Sequence, residues 1–60
     1  MKLKTQIFLN KRRADIGTVQ GRHNVVCYDE NGQQVKIIEC HEHSESWAID
    51  VATAWCEKRI

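Results

Sequence analysis

The sequence lacks most of the features that would place it in a specialised class of protein. It has no proline, only three glycines among its 60 residues, and no apolar stretch near the roughly 20 residues of a membrane-spanning helix. It also has no low-complexity run, no internal repeat and no apolar core with a cleavage site that would make its start a signal peptide. These absences argue against linkers, membrane spans and export. They predict one small cytoplasmic domain over residues 1–60.

Cysteine and aromatic residues are also scarce, and their numbers limit the chemistry of the chain. The three cysteines are an odd number and cannot all pair within one chain, so reduced thiols are expected. Only two tryptophans, one tyrosine and one phenylalanine are available to stack on nucleic-acid bases. A chain this short has little length left to support a preorganised active site, so the sequence predicts a protein without enzymatic activity.

The charge is unevenly distributed, although the net charge is only +1. Residues 1–22 carry a net charge of +5, whereas residues 23–60 carry −4. The basic part contains four candidate phosphate contacts: Lys11, Arg12, Arg13 and Arg22. DNA binding through this basic N-terminal half is therefore the alternative function that the sequence suggests.

Asn31-Gly32 lies between two apolar runs and is the strongest hairpin signal in the chain. Asn-Gly tolerates the positive φ angles of a type I′ turn, so a hairpin is predicted over residues 24–40. With these two residues as the loop, the pairs are Tyr28 with Val35, Val26 with Ile37, Val25 with Ile38 and His23 with Cys40. Alternate residues along each strand then share a face of the hairpin.

A C-terminal helix over residues 45–59 is predicted to follow the hairpin. Ser44 is a suitable N-cap, and Glu45 lies where the helix dipole favours an anion. The apolar stripe of this helix consists of Ala48, Val51, Ala52 and Trp55. Such a helix can cover one face of a sheet.

The N-terminal third fits two alternatives. The run Thr5–Leu9 favours a strand, but a helix from Leu3 to Ala14 also fits the spacing of apolar residues. Residues 15–21 fit a second short strand. With Thr5–Leu9 as a strand, the fold is α+β, with a three-stranded, mainly antiparallel sheet packed against the C-terminal helix.

The helix covers only one face of the hairpin, and its small alanines suit the face of Tyr28 and Ile37. That choice leaves three apolar residues of the opposite face uncovered as candidate protein-binding residues: Val25, Cys27 and Ile38. A protein partner or a second copy in a two-fold homodimer would cover them. If the N-terminal segment is a helix, that helix would cover them instead.

The segment Cys40-His41-Glu42-His43 contains only side chains that bind metals. The predicted register adds His23 opposite Cys40, with Cys27 further along the same face. No CxxC or HExxH spacing accompanies them, so His23, Cys27 and Cys40 are candidate ligands only, and no cofactor is predicted.

Tyr28–Lys36 and Ser46–Trp55 together form a pattern of hairpin, loop and helix. This pattern resembles the arm-type DNA-binding domain of tyrosine recombinases over about residues 23–58. The resemblance implies a small sheet, a tight turn and one helix, but that family reads DNA with a sheet rich in lysine and arginine, whereas the strands of this pattern supply only Lys36. In size the chain is also similar to small accessory proteins of bacteriophages. We therefore expect a small binding or regulatory protein of phage or prophage origin that acts through protein–protein contacts.

Overall fold

A computed structural model describes the backbone of residues 2–60 and the side chains of residues 5–60. The described residues form an antiparallel sheet, with its strands in sequence order, and one helix. The elements are β1 (Lys2–Leu9), β2 (Arg12–Val19), β3 (Arg22–Tyr28), β4 (Gln34–Cys40) and α1 (Glu45–Cys56). The predicted α+β class is confirmed, but the sheet has four strands instead of three. Within the described part, no helix has the length and apolar character needed to cross a bilayer.

Two-residue turns join β1 to β2 and β2 to β3, and they explain the additional strand. The φ angles are 53° at Asn10, 66° at Lys11, 54° at Gln20 and 77° at Gly21. Two consecutive positive φ angles are typical of type I′ hairpin turns. Because the first turn uses only two residues, β2 already begins at Arg12 and has room for a full-length strand before the second turn.

The turn between β3 and β4 differs from the predicted type I′ turn. Of its residues only Gly32 has a positive φ angle, 81°. The Asp29 carbonyl accepts a hydrogen bond from the Gly32 amide at 3.0 Å, and the Asp29 carboxylate accepts from the amides of Asn31 and Gln33 at 2.9 and 3.0 Å. Asp29 thus favours a type I turn followed by a left-handed glycine, which makes a three-residue loop.

The predicted register nevertheless holds along most of β3 and β4. Three predicted pairs are present: Val26 with Ile37, Val25 with Ile38, and His23 with Cys40. A bulge near the turn absorbs the extra loop residue, so Tyr28 pairs with Gln34. The predicted pair of Tyr28 with Val35 is wrong for this reason.

The helix begins as predicted and packs its small residues on the sheet. Ser44 Oγ accepts a hydrogen bond from the Trp47 amide at 3.2 Å, which confirms Ser44 as the N-cap. The buried core between α1 and the sheet consists of Ala14, Ile16, Val25, Cys27, Cys40, Ala48, Ala52, Trp55 and Cys56. Trp55 is the largest of these residues, and its Nε1 donates to the Tyr28 carbonyl at 3.1 Å.

The helix covers the hairpin face opposite to the one that we predicted. Val25 and Cys27 are fully buried beneath it, and Ile38 packs against the same core. The prediction that Val25, Cys27 and Ile38 form an exposed binding surface is therefore wrong, since all three contribute to the core. Ile37, which was expected to lie under the helix, is 53% exposed.

Strand β2 provides the physical reason for this choice of face. Ala14 and Ile16 lie on its helix side and are fully buried. Arg13 and Asp15 lie on its other side, because side chains alternate along a strand. On that side a helix would meet the Arg13–Asp15 ion pair, whereas on the helix side it packs against apolar residues.

Arg12 joins the C-terminal end of the helix to the hairpin turns. Its Nη1 donates to the Trp55 carbonyl at 3.1 Å, its guanidinium carbon lies 4.3 Å from the centre of the Trp55 ring, and its Nε lies 3.0 Å from Glu30 Oε1. The hydrogen bond from Arg12 lowers the pKa of the Glu30 carboxyl. Asn10 Nδ2 donates to the Cys56 carbonyl at 3.2 Å. Both side chains thus satisfy carbonyls at the negative end of the helix dipole.

The helix ends at Cys56, before the predicted end at residue 59. Lys58 has a left-handed φ angle of 61°, and its amide donates to the Trp55 carbonyl at 3.1 Å. The Arg59 amide donates to the Ala54 carbonyl at 2.9 Å. This is a Schellman motif, whose left-handed position is usually occupied by glycine, and a lysine there is strained.

Replacing Lys58 with glycine should raise the free energy of unfolding by roughly 0.5–1 kcal/mol, because glycine relieves the left-handed strain. Urea denaturation followed by tryptophan fluorescence would measure the change. Lys58→Ala is the matched control, since it removes the same charge but retains the Cβ atom, and it should give no gain. Equal effects of the two substitutions would contradict the assignment of strain to this residue.

Replacing Trp55 with alanine should lower the free energy of unfolding by about 3–5 kcal/mol, because a large buried side chain and its hydrogen bond are lost together. Trp47, which is 41% exposed, offers a control within the same helix. Trp47→Ala should cost less than about 1 kcal/mol. Similar losses in the two variants would show that Trp55 does not anchor the core.

Candidate functional site on the open sheet face

The sheet face turned away from α1 is uncovered, and we call it the open face. By the strand register it carries Gln6, Phe8, Arg13, Asp15, Gly17, Val19, Arg22, Asn24, Val26, Tyr28, Gln34, Ile37 and Glu39. Three of its apolar side chains are strongly exposed: Phe8 by 70%, Ile37 by 53% and Val19 by 44%. Exposed apolar residues that share one face usually mark a contact surface.

A groove of about 490 Å³ lies on the open face along β3. Val26 contributes its floor and is only 5% exposed. The lining residues are Val19, Asn24, Val26, Tyr28, Gln34, Ile37 and Glu39. An apolar floor with a few polar groups around it is the composition that binding sites usually have.

Arg13 and Tyr28 form an ordered pair at the turn end of this groove. The Arg13 guanidinium carbon lies 3.9 Å from the centre of the Tyr28 ring, which is cation–π geometry. Arg13 Nε lies 3.2 Å from Asp15 Oδ1, as an ion pair whose atoms are not aligned as a hydrogen bond. Beyond the pair lies a second hollow of about 260 Å³, to which Phe8 and Lys11 contribute. Tyr28 thus lines both depressions, and Arg13 lines the second.

The opposite end of the groove is polar. His41 Nε2 lies 3.1 Å from Asn24 Oδ1 and 3.3 Å from Glu39 Oε2. Because both neighbours are acceptors, Nε2 carries the proton in this arrangement. His43 does not join this group, since its ring stacks on Trp47 with a centroid separation of 3.8 Å.

The candidate metal ligands His23, Cys27 and Cys40 lie on the helix side of the sheet, away from the open face. His23 does lie opposite Cys40, as predicted. However, no group of three or more His, Cys, Asp or Glu side chains among the described residues is arranged to hold a metal ion. Burial raises the pKa of the Cys27 thiol to about 11 and also raises the pKa of the Cys40 thiol. These side chains belong to the core and its border.

The candidate phosphate contacts are separated by the fold. Lys11 lies in the first turn, Arg12 binds the helix terminus, and Arg13 lies on the open face beside Asp15. Arg22 lies on the open face at the far end of β3. The structure therefore does not bring the four cations together on one surface. The side chains of Lys2 and Lys4, which carry part of the N-terminal charge, lie outside the described residues.

Comparison with known proteins finds no matching family model, no matching curated protein and no matching solved structure. The resemblances to recombinase arm domains and to phage accessory proteins stay predictions, since no match bears on them. The functional assignment therefore depends on the geometry of the open face.

Sequence reasoning missed Phe8, Arg13 and Val19 as members of a common surface with Tyr28. Their placement depends on β2 being a complete strand between two hairpin turns. Gln20-Gly21 was a usable turn signal, because glycine suits the second position of a type I′ turn. Asn10-Lys11 gave a weaker one, since lysine rarely adopts a positive φ angle.

The buried thiols predict a loss of stability at alkaline pH. The pKa of Cys27 is raised from its ordinary 9.0 to about 11 in the folded chain. The contribution of this thiol to the free energy of unfolding is therefore complete below pH 9 and is lost as the pH rises toward 11. Urea denaturation at several pH values in this window would measure the decline. In the Cys27→Ala variant, the free energy of unfolding should decline less steeply with pH. An unchanged slope in that variant would assign the decline to other groups.

Proposed function

We propose that this chain is a small, non-enzymatic binding protein that acts through protein–protein contacts, with the open face as its docking surface. The observation that carries the proposal is the apolar area around Tyr28 that α1 leaves uncovered. Phe8 and Ile37, both more than half exposed, flank this area. Burying such side chains against a partner contributes roughly 25 cal/mol per Å² of apolar surface.

The composition of the open face supports this function. Tyrosine, arginine and phenylalanine are enriched at interfaces, and tyrosine and arginine often dominate the binding energy. Arg13 is already held against Tyr28 by stacking and by Asp15. A preordered pair loses less conformational entropy when a partner docks.

The sheet edges support docking through the face instead of through an added strand. β4 is an edge strand, but it has a bulge at its turn end and Lys36 in its middle. β1, the other edge, has a bulge between Leu3 and Thr5. Bulges and lysines on edge strands are the usual means by which proteins block further strand pairing.

The chemistry of the described side chains supports a binding role over a catalytic one. Burial raises the pKa of all three thiols, which disfavours the thiolates that a cysteine nucleophile requires. His41 contacts an amide and a carboxylate, neither of which is a nucleophile that it would activate as a base. DNA binding remains the alternative because of the basic N-terminal half, but the engagement of Arg12 by Trp55 and Glu30 favours it less.

A photo-crosslinking amino acid at position 8 tests this proposal, since Phe8 is the most exposed apolar residue of the open face. In a lysate of cells that express the chain, we expect a discrete protein adduct. The same amino acid at position 50, on the outer side of α1, is the control and should give none.

Ile37→Asp should abolish the adduct, because a carboxylate in the groove would lose its water on docking. An adduct that survives Ile37→Asp, or equal labelling from position 50, would contradict the open face as the docking surface. An adduct with nucleic acid, lost at high salt, would favour the DNA-binding alternative.

A further inference from the structure

We propose that the occupant of the open face is a second copy of this chain, in a two-fold dimer that packs one open face against the other. This inference rests on the proposed function, since it names the partner of the same surface. A two-fold axis makes the interface self-complementary, so the same residues contribute from both copies.

The small size of the core favours a second copy. The largest fully buried side chains are Ile16, Val25, Cys27, Cys40 and Cys56, none of which is aromatic. A domain of 60 residues is marginally stable, and a disulfide, a metal or an oligomer is the usual reinforcement. All three cysteines are free, and the described residues contain no three-ligand cluster for a metal. Of the three usual means, association is the one for which the chain has an unused surface.

The area of the open face is close to what a dimer requires. Four strands about 4.8 Å apart and about seven residues long at about 3.3 Å each span roughly 440 Å² of flat area. Two copies would bury somewhat more than twice this area, because side chains roughen the surface, and specific interfaces begin at about 1,000 Å². An interface near this lower limit is typical of weak association, so we expect a Kd on the order of micromolar to millimolar.

The charges of the open face allow two copies to meet. Arg13 is paired with Asp15 within the same copy. The remaining formal charges are those of Arg22 and Glu39, so the described part of the face has a net charge of zero. Because the described part of the face is neutral, two copies meet without net charge repulsion, and Arg13 and Asp15 enter the interface as a pair.

Sedimentation equilibrium from about 1 µM to about 1 mM tests the dimer, because the expected Kd lies within this range. We expect reversible dimerisation by the wild-type chain. Ile37→Asp should raise the Kd by at least about 100-fold, because each dimer would bury two carboxylates. Ile60→Asp is a matched control, since Ile60 is 52% exposed and Ile37 is 53% exposed, and it should leave the Kd unchanged.

Circular dichroism establishes that each variant is folded, and Phe8→Asp replaces Ile37→Asp if the latter unfolds. A wild-type chain that stays monomeric to 1 mM overturns the dimer, as does a dimer that both open-face variants leave intact. Crosslinking from position 8 distinguishes failure of the dimer from failure of the proposed docking function. A monomer whose adduct with another protein is lost in Ile37→Asp refutes the dimer and retains the docking function. A monomer without any adduct refutes both.

Discussion

The two faces of strand β2 differ in chemistry, and the side on which α1 packs depends on this difference. Its helix side carries Ala14 and Ile16, whereas its other side carries Arg13 and Asp15. The apolar face suits an apolar helix, whereas the other face already encloses the Arg13–Asp15 ion pair. The side occupied by α1, the identity of the core and the exposure of the opposite face all follow from this alternation.

Arg12 and Arg13 are neighbours in the sequence but lie on opposite faces of the sheet, because side chains alternate along β2. Arg12 lies on the helix side, where it stacks on Trp55 and donates to its carbonyl. That contact ties β2 to the end of α1 and, through Glu30, to the last hairpin. Arg13 lies on the open face, where it stacks on Tyr28. The basic cluster that suggests phosphate binding in the sequence is therefore divided between the end of α1, which Arg12 contacts, and the surface that we propose for docking.

The open face and the blocked edges together limit how the protein can associate. Docking through the open face would not use the strand edges. Blocked edges protect a small sheet from pairing with other chains. The groove along β3 supplies apolar area, while the His41–Asn24 contact gives its far end a fixed polar boundary. The surface that we propose for docking is therefore formed by the folded sheet itself.

The sequence by itself determined the elements whose signals are local. Ser44 as the N-cap depends on a backbone contact within one turn, and the pairing of Val26 with Ile37 depends on a nearby hairpin. The local sequence does not show which face of that hairpin packs against α1, because both faces are apolar. The tertiary structure decided which face of the hairpin packs against α1, because that choice depends on β2. Strand β2 in turn depends on the two-residue turn at Asn10-Lys11. The face that we propose for docking was decided at the same step, because α1 packs on the apolar side of β2 and leaves the side of Arg13 and Asp15 without a helix.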